Sequence, residues 1–113
     1  MKKGETFERM KSISAYFKNH ADSNELFKPE FEASYLINSK INGSEELTIS
    51  DINKMISKIN EAEDQDHYDG SGWMDYKMCF SALMKKNGFE VSQGYNDKMK
   101  IKTVANNGYN SLR

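Results

Sequence analysis

The apolar residues of this chain change period once, and that change constrains the fold more than any other feature. Up to Lys86 they recur three and four residues apart, the spacing of one face of a helix. After Asn87-Gly88 they alternate with polar residues: Phe89 and Val91 with Glu90 and Ser92, then Met99 and Ile101 with Lys98, Lys100 and Lys102. Alternation marks a strand with one buried face. Two such runs around Gly94-Tyr95-Asn96-Asp97 predict a β-hairpin. A chain of 113 residues has room for one domain. The expectation is an α+β, mostly helical fold, with about four helices followed by a C-terminal hairpin.

Phe7, Met10, Ile13 and Phe17 give a first helix, from about Thr6 to His20, one apolar face; Asp22-Ser23-Asn24 reads as a polar break. A second helix starts near Pro29, whose missing N–H costs nothing in a first turn. Phe31, Tyr35 and Leu36 form its expected buried stripe, and Asn42-Gly43 stops it. The third has the clearest start. Thr48 can cap the amide of Asp51 while Asp51 reaches back, and Leu47 can staple onto Ile52. Ile49, Ile52, Ile56 and Ile59 then predict a helix from Ile49 to about Asn60. Tyr76, Cys79, Phe80 and Leu83 make the apolar face of a fourth, from about Trp73 to Lys86, closed by Gly88 in a left-handed conformation. The single domain, 1–113, thus divides into a helical pair (1–46), a helix–helix–hairpin unit (47–104) and a polar tail (105–113).

Leu, Ile, Val and Phe number only 21, so the core is thin and leans on seven Met, six Tyr and one Trp. One Cys cannot form an internal disulfide. No apolar run approaches the ~18 residues of a membrane span, and Met-Lys-Lys-Gly-Glu-Thr lacks the apolar stretch of a signal peptide. These features predict a cytoplasmic protein with no membrane partner. Cys79 lies on an apolar stripe and reads as a core thiol. His20 and His67 have no partner at ligand or catalytic spacing, and no HExxH, CxxC or Gly-rich phosphate loop is present. The chain is therefore expected to be no enzyme and to carry no cofactor or metal.

Charge is segregated although the net is −1. Residues 61–75 hold six carboxylates and no Lys or Arg, whereas 76–113 hold seven basic and two acidic side chains. On the fourth helix, Lys77, Ser81 and Lys85 fall opposite the apolar stripe. On the hairpin, Lys98, Lys100 and Lys102 share one side of a strand. A helix can enter a major groove while a basic hairpin follows the phosphates. The segment Phe80-Ser-Ala-Leu-Met-Lys-Lys-Asn-Gly-Phe-Glu-Val and then Gly94-Tyr-Asn-Asp-Lys-Met-Lys-Ile resembles the recognition helix and wing of a winged helix–turn–helix, as found in phage and plasmid primase-type replication proteins. The resemblance covers about 47–104. It implies DNA binding through Lys77, Ser81, Lys85, Lys98, Lys100 and Lys102. The connection between the two helices, read as 61–72, is longer than the usual turn of about 3–4 residues.

The acidic stretch supports a different function class. Glu61, Glu63, Asp64, Asp66, Tyr68, Asp69 and Trp73 could face a basic protein surface, steering association by charge. In this the chain resembles small phage-encoded inhibitors, including some anti-CRISPR proteins. Asp64, Asp66 and Asp75 also match positions 1, 3 and 12 of an EF-hand loop, but Asp69 occupies position 6, where the sharp turn needs Gly. The region of Phe27 and Phe31 suits either packing on the third helix or a homodimer interface.

Overall fold

The computed structural model describes residues 3–24, 28–66, 71–92, 99 and 101–104; of 21–24, 66, 71 and 102–104 it describes the backbone only. Four helices dominate: α1 (Gly4–Asn24), α2 (Lys28–Asn42), α3 (Ile49–Asp66) and α4 (Ser71–Lys86). Two short strands follow, β1 (Phe89–Val91) and β2 (Ile101–Val104). They pair antiparallel, Phe89 with Val104 and Val91 with Ile101, with an irregularity in register between Glu90 and Val91. The expected turn at 94–97 and the tail at 105–113 lie outside the described residues, as does Phe27.

The start of α3 and the stop after α4 act as anticipated. The Thr48 amide donates to Asp51 Oδ2 at 3.0 Å, and the Asp51 amide donates to Thr48 Oγ1 at 3.1 Å, closing a reciprocal cap on α3. Lys40, near the end of α2, adds a 3.4 Å contact to Asp51. The Thr48 backbone N–H leads the causes that hold the Asp51 carboxyl below the usual carboxylate range. Because its folded value is depressed, Asp51 stabilises the protein above its unfolded value, near 4, and that contribution disappears as pH falls through the folded value. Thr48→Ala should cost about 1 kcal/mol in urea denaturation at neutral pH. Asp51→Asn should flatten the loss of stability below about pH 4; an unchanged acid profile would refute this role. At the other end, α4 stops where Gly88 takes φ +97°, its amide donating to the Lys85 carbonyl at 3.0 Å.

Two helices outrun their expected ends. α1 continues through the polar Asp22-Ser23-Asn24, and α3 continues through the acidic run to Asp66. Only residues 67–70 separate α3 from α4. Asp64 and Asp66 are therefore helical, as is Asp75, and the EF-hand spacing does not correspond to a loop.

α1 packs between α2 and α4, and α2 packs in turn on α3; β1 lies against α4. The core takes Phe7, Met10 and Phe17 from α1, Ile52, Ile56 and Ile59 from α3, and Trp73, Tyr76, Phe80 and Leu83 from α4. Trp73 stacks on Tyr76 at 5.7 Å with nearly parallel planes and meets Phe17 at 6.0 Å. α2 corrects the sequence reading. Tyr35 and Leu36 are 58% and 50% exposed, Phe31 is half-buried, and the inward face is Glu30, Ala33, Ser34, Ile37, Asn38 and Ile41. Ser34 and Asn38 find hydrogen-bond partners. Tyr76 donates its hydroxyl to Asn38 Oδ1 at 2.7 Å, Asn38 Nδ2 donates to the Met10 carbonyl at 3.2 Å, and Ser34 donates to Ser14 at 2.7 Å. This network ties α1, α2 and α4 together, and satisfied polar groups can be buried at little cost.

Candidate nucleic-acid interface

Among the described residues, Asn60 of α3 holds the chain at Met99, two residues before β2. Asn60 Nδ2 donates to the Met99 carbonyl at 3.1 Å, and the Met99 amide donates to Asn60 Oδ1 at 3.0 Å. The carboxamide pairs with the chain much as a neighbouring strand would, and Met99 is buried beneath it. Sequence reasoning did not single out Asn60, because an Asn in a helix looks like an ordinary surface residue until its partner is known.

Of the six residues expected to hold nucleic acid, two are corrected by burial. Lys77 is 4% exposed, and its ammonium is hydrogen-bonded to Glu63 Oε1. Ser81 is 7% exposed, and its hydroxyl has no hydrogen-bond partner among the described residues. Both are covered because α4 is a central helix. Its buried arc runs through Trp73, Tyr76, Lys77, Cys79, Phe80, Ser81, Leu83 and Met84, wider than one apolar stripe. What remains open is Met78 and Ala82, with Met74 half-buried beside them, and the final Lys85 and Lys86. Lys85 is exposed as expected. Lys98, Lys100 and the side chain of Lys102 lie outside the described residues, although β2 carries the Lys102 backbone.

The acidic constellation divides in the same way. Trp73 is 1% exposed and donates its indole N–H to Glu63 Oε1 at 3.2 Å. Glu63 therefore takes both Trp73 and Lys77 and clamps the end of α3 to α4, so Trp73 is not available to a partner, while Glu63 keeps one side open to water. Glu61 and Asp64 are exposed, Glu61 lying 3.6 Å from Lys58. Asp66 ends α3, and Tyr68 and Asp69 lie outside the described residues. No basic residue stands in the last turn of α3, so its carboxylates oppose the helix dipole.

Arg9 of α1 grips the Asp75 carboxylate of α4 with two N–H groups, and this ion pair, whose hydrogen bond is the leading cause, raises the guanidinium pKa further. Cys79 Sγ is 3.8 Å from Asp75 Oδ1; burial, and then that carboxylate, push the thiol up, which suits a core thiol and not a nucleophile. Among the described residues no cluster of three or more His, Cys, Asp or Glu could hold a metal ion. None of the described helices is long and apolar enough to cross a membrane.

Sequence reasoning also missed a groove of about 310 Å³ between α1 and α2, lined by Lys11, Lys18, Phe31, Tyr35, Asn38 and Ser39 among others. The seven-residue interval between Lys11 and Lys18 was the available signal, but assigning Tyr35 to the core concealed it. Comparison with known proteins finds no family model that matches the chain, and no curated protein or solved structure that does.

Proposed function

We propose that the chain is a non-enzymatic, cytoplasmic nucleic-acid-binding protein whose C-terminal unit works like a winged helix, in the manner of a phage or mobile-element regulator. The observation that carries this reading is an element order: α3, four residues, α4, then two antiparallel strands, with the chain just before β2 held to α3 by Asn60. A four-residue connection fits a helix–turn–helix, where the twelve-residue loop read from sequence would not. The buried, unpaired Cys79 suits a reducing compartment.

Lys77 and Ser81 lie inside, and the open stripe of α4 is Met74, Met78 and Ala82, which offers no bidentate donor to a base edge. Affinity then comes from phosphates, through Lys85 and the wing lysines Lys98, Lys100 and Lys102. Such binding ignores sequence and falls steeply with salt. Fluorescence anisotropy with a labelled random duplex at roughly 50 and 200 mM salt tests this. Replacing Lys98, Lys100 and Lys102 with Ala should weaken binding to every duplex alike and reduce the slope of log K against log salt by about 2–3. An unchanged slope would remove the wing from the interface.

A second reading, inhibition of a host complex through a basic protein surface, draws on one feature. The exposed carboxylates of Glu61 and Asp64 lie near the end of α3 against its dipole, where stability alone would favour Lys or Arg. Failure of the wild-type protein to bind any duplex at low salt would move this reading into the lead.

A further inference from the structure

The groove between α1 and α2 plays no part in the duplex reading. We infer that it seats an unstacked nucleotide of a single strand, with Tyr35 as the stacking face and Lys11 and Lys18 as the phosphate contacts. The inference rests on the nucleic-acid reading above and adds a substrate class and a second site to it.

Three observations carry it. Tyr35 leaves 58% of its surface in water although it belongs to a helix with a well-formed inner face. Phe31, half-buried, stands behind it with ring centroids 5.9 Å apart and planes at 47°, so the tyrosine ring is supported on one side. An exposed, backed aromatic ring is what an unstacked base needs, whereas a duplex keeps its bases inside the stack.

The second observation is charge. Lys11 and Lys18 are two turns apart on α1, about 10.5 Å along the axis, and both reach the groove. Lys11 is 2.6 Å from Glu8, an exposed pair of a kind that contributes little and can be exchanged for a phosphate. Among the described residues no carboxylate lines this groove. A neighbouring groove of about 250 Å³ between α2 and α3 also carries lysines, Lys40, Lys54 and Lys58 beside Asp51, but among the described residues no aromatic ring lines it to stack a base.

The third is rigidity. Asn38, in the wall, is locked by Tyr76 and by the Met10 carbonyl. Ser39 beside it leaves a hydroxyl for the nucleotide. The volume suits a nucleotide, and a site already formed loses little entropy on binding.

The full-length chain would be titrated against a labelled oligothymidine of about 12 nucleotides and against the labelled duplex. Tyr35→Ala should weaken oligothymidine binding about 5- to 100-fold, and Tyr35→Phe should restore it. Lys18→Ala should lower the salt slope for the single strand by about 0.7. Duplex binding should be insensitive to Tyr35 and remain sensitive to the wing lysines. Tyr35 is largely exposed, so its truncation should leave the helical circular dichroism and its melt intact. If Tyr35→Ala binds oligothymidine as the wild type does, the groove is not the site and the duplex reading stands alone. The groove is likewise excluded if polyglutamate competes as well as oligothymidine does and Tyr35 has no effect. If the wild type binds neither probe at about 50 mM salt, the nucleic-acid reading itself falls, and this inference with it.

Discussion

Trp73→Ala is expected to destabilise the protein by about 3–5 kcal/mol, the usual cost of deleting a fully buried large aromatic. Trp73 is 1% exposed, stacked on Tyr76 and in contact with Phe17, so the cavity would open where α4 meets α1. The thin supply of Leu, Ile, Val and Phe leaves few side chains able to relax into it. The indole N–H to Glu63 is lost as well. Trp73→Phe keeps most of the ring contact and loses that donor, so it should cost about 1 kcal/mol. Urea denaturation followed by far-ultraviolet circular dichroism measures both, since the only tryptophan is the one replaced. A loss of less than about 1 kcal/mol for Trp73→Ala would mean that the α1–α4 contact is not where stability resides.

Glu63 and Lys77 should respond unequally. Glu63→Gln leaves the Lys77 ammonium, with only 5% of its side chain exposed, without a counter-charge. Removing one partner of a fully buried pair costs about 3–5 kcal/mol. Glu63 keeps 26% of its own side chain in water, so screening lowers the expected loss to about 2–3 kcal/mol. Lys77→Met removes the buried cation instead. Glu63 still accepts from Trp73 and has water on its open side, so this change should lie within about 1 kcal/mol of the wild type. Combining both should recover most of what Glu63→Gln loses. Small, equal losses would identify an ordinary surface ion pair. The Lys77→Met protein also separates architecture from function, because it should bind duplex DNA as tightly as the wild type. A large drop in affinity would return Lys77 to the interface.

Features of the fold that rest on neighbours within a turn were legible in the sequence. The cap on α3 needs only Thr48 and Asp51, three residues apart, and the stop after α4 needs only a glycine able to take positive φ. The stripes Phe7, Met10, Phe17 and Ile52, Ile56, Ile59 are buried because one helical face carries them. The candidate site was less legible, and the reason is the same throughout. Whether a polar side chain goes inside depends on a partner far away in the chain. Asn38 is buried because the Tyr76 hydroxyl, 38 residues on, reaches it. Lys77 is buried because Glu63 meets it, and Glu63 can do so because α3 runs on past Asn60 through the buried Ala62.

That extension also turned a predicted acidic loop into helix and shortened the connection to α4 to four residues. Tyr35 is the converse case: an aromatic at helical spacing reads as core, yet Ser34 and Asn38 take the inner face because partners are there to satisfy them. By itself the sequence determined the period, the caps and the apolar stripes, all set by free energies that act within one or two turns. The tertiary structure alone decided which polar groups are buried and which charges stay open to a ligand, because desolvation is offset only when distant donors and acceptors meet.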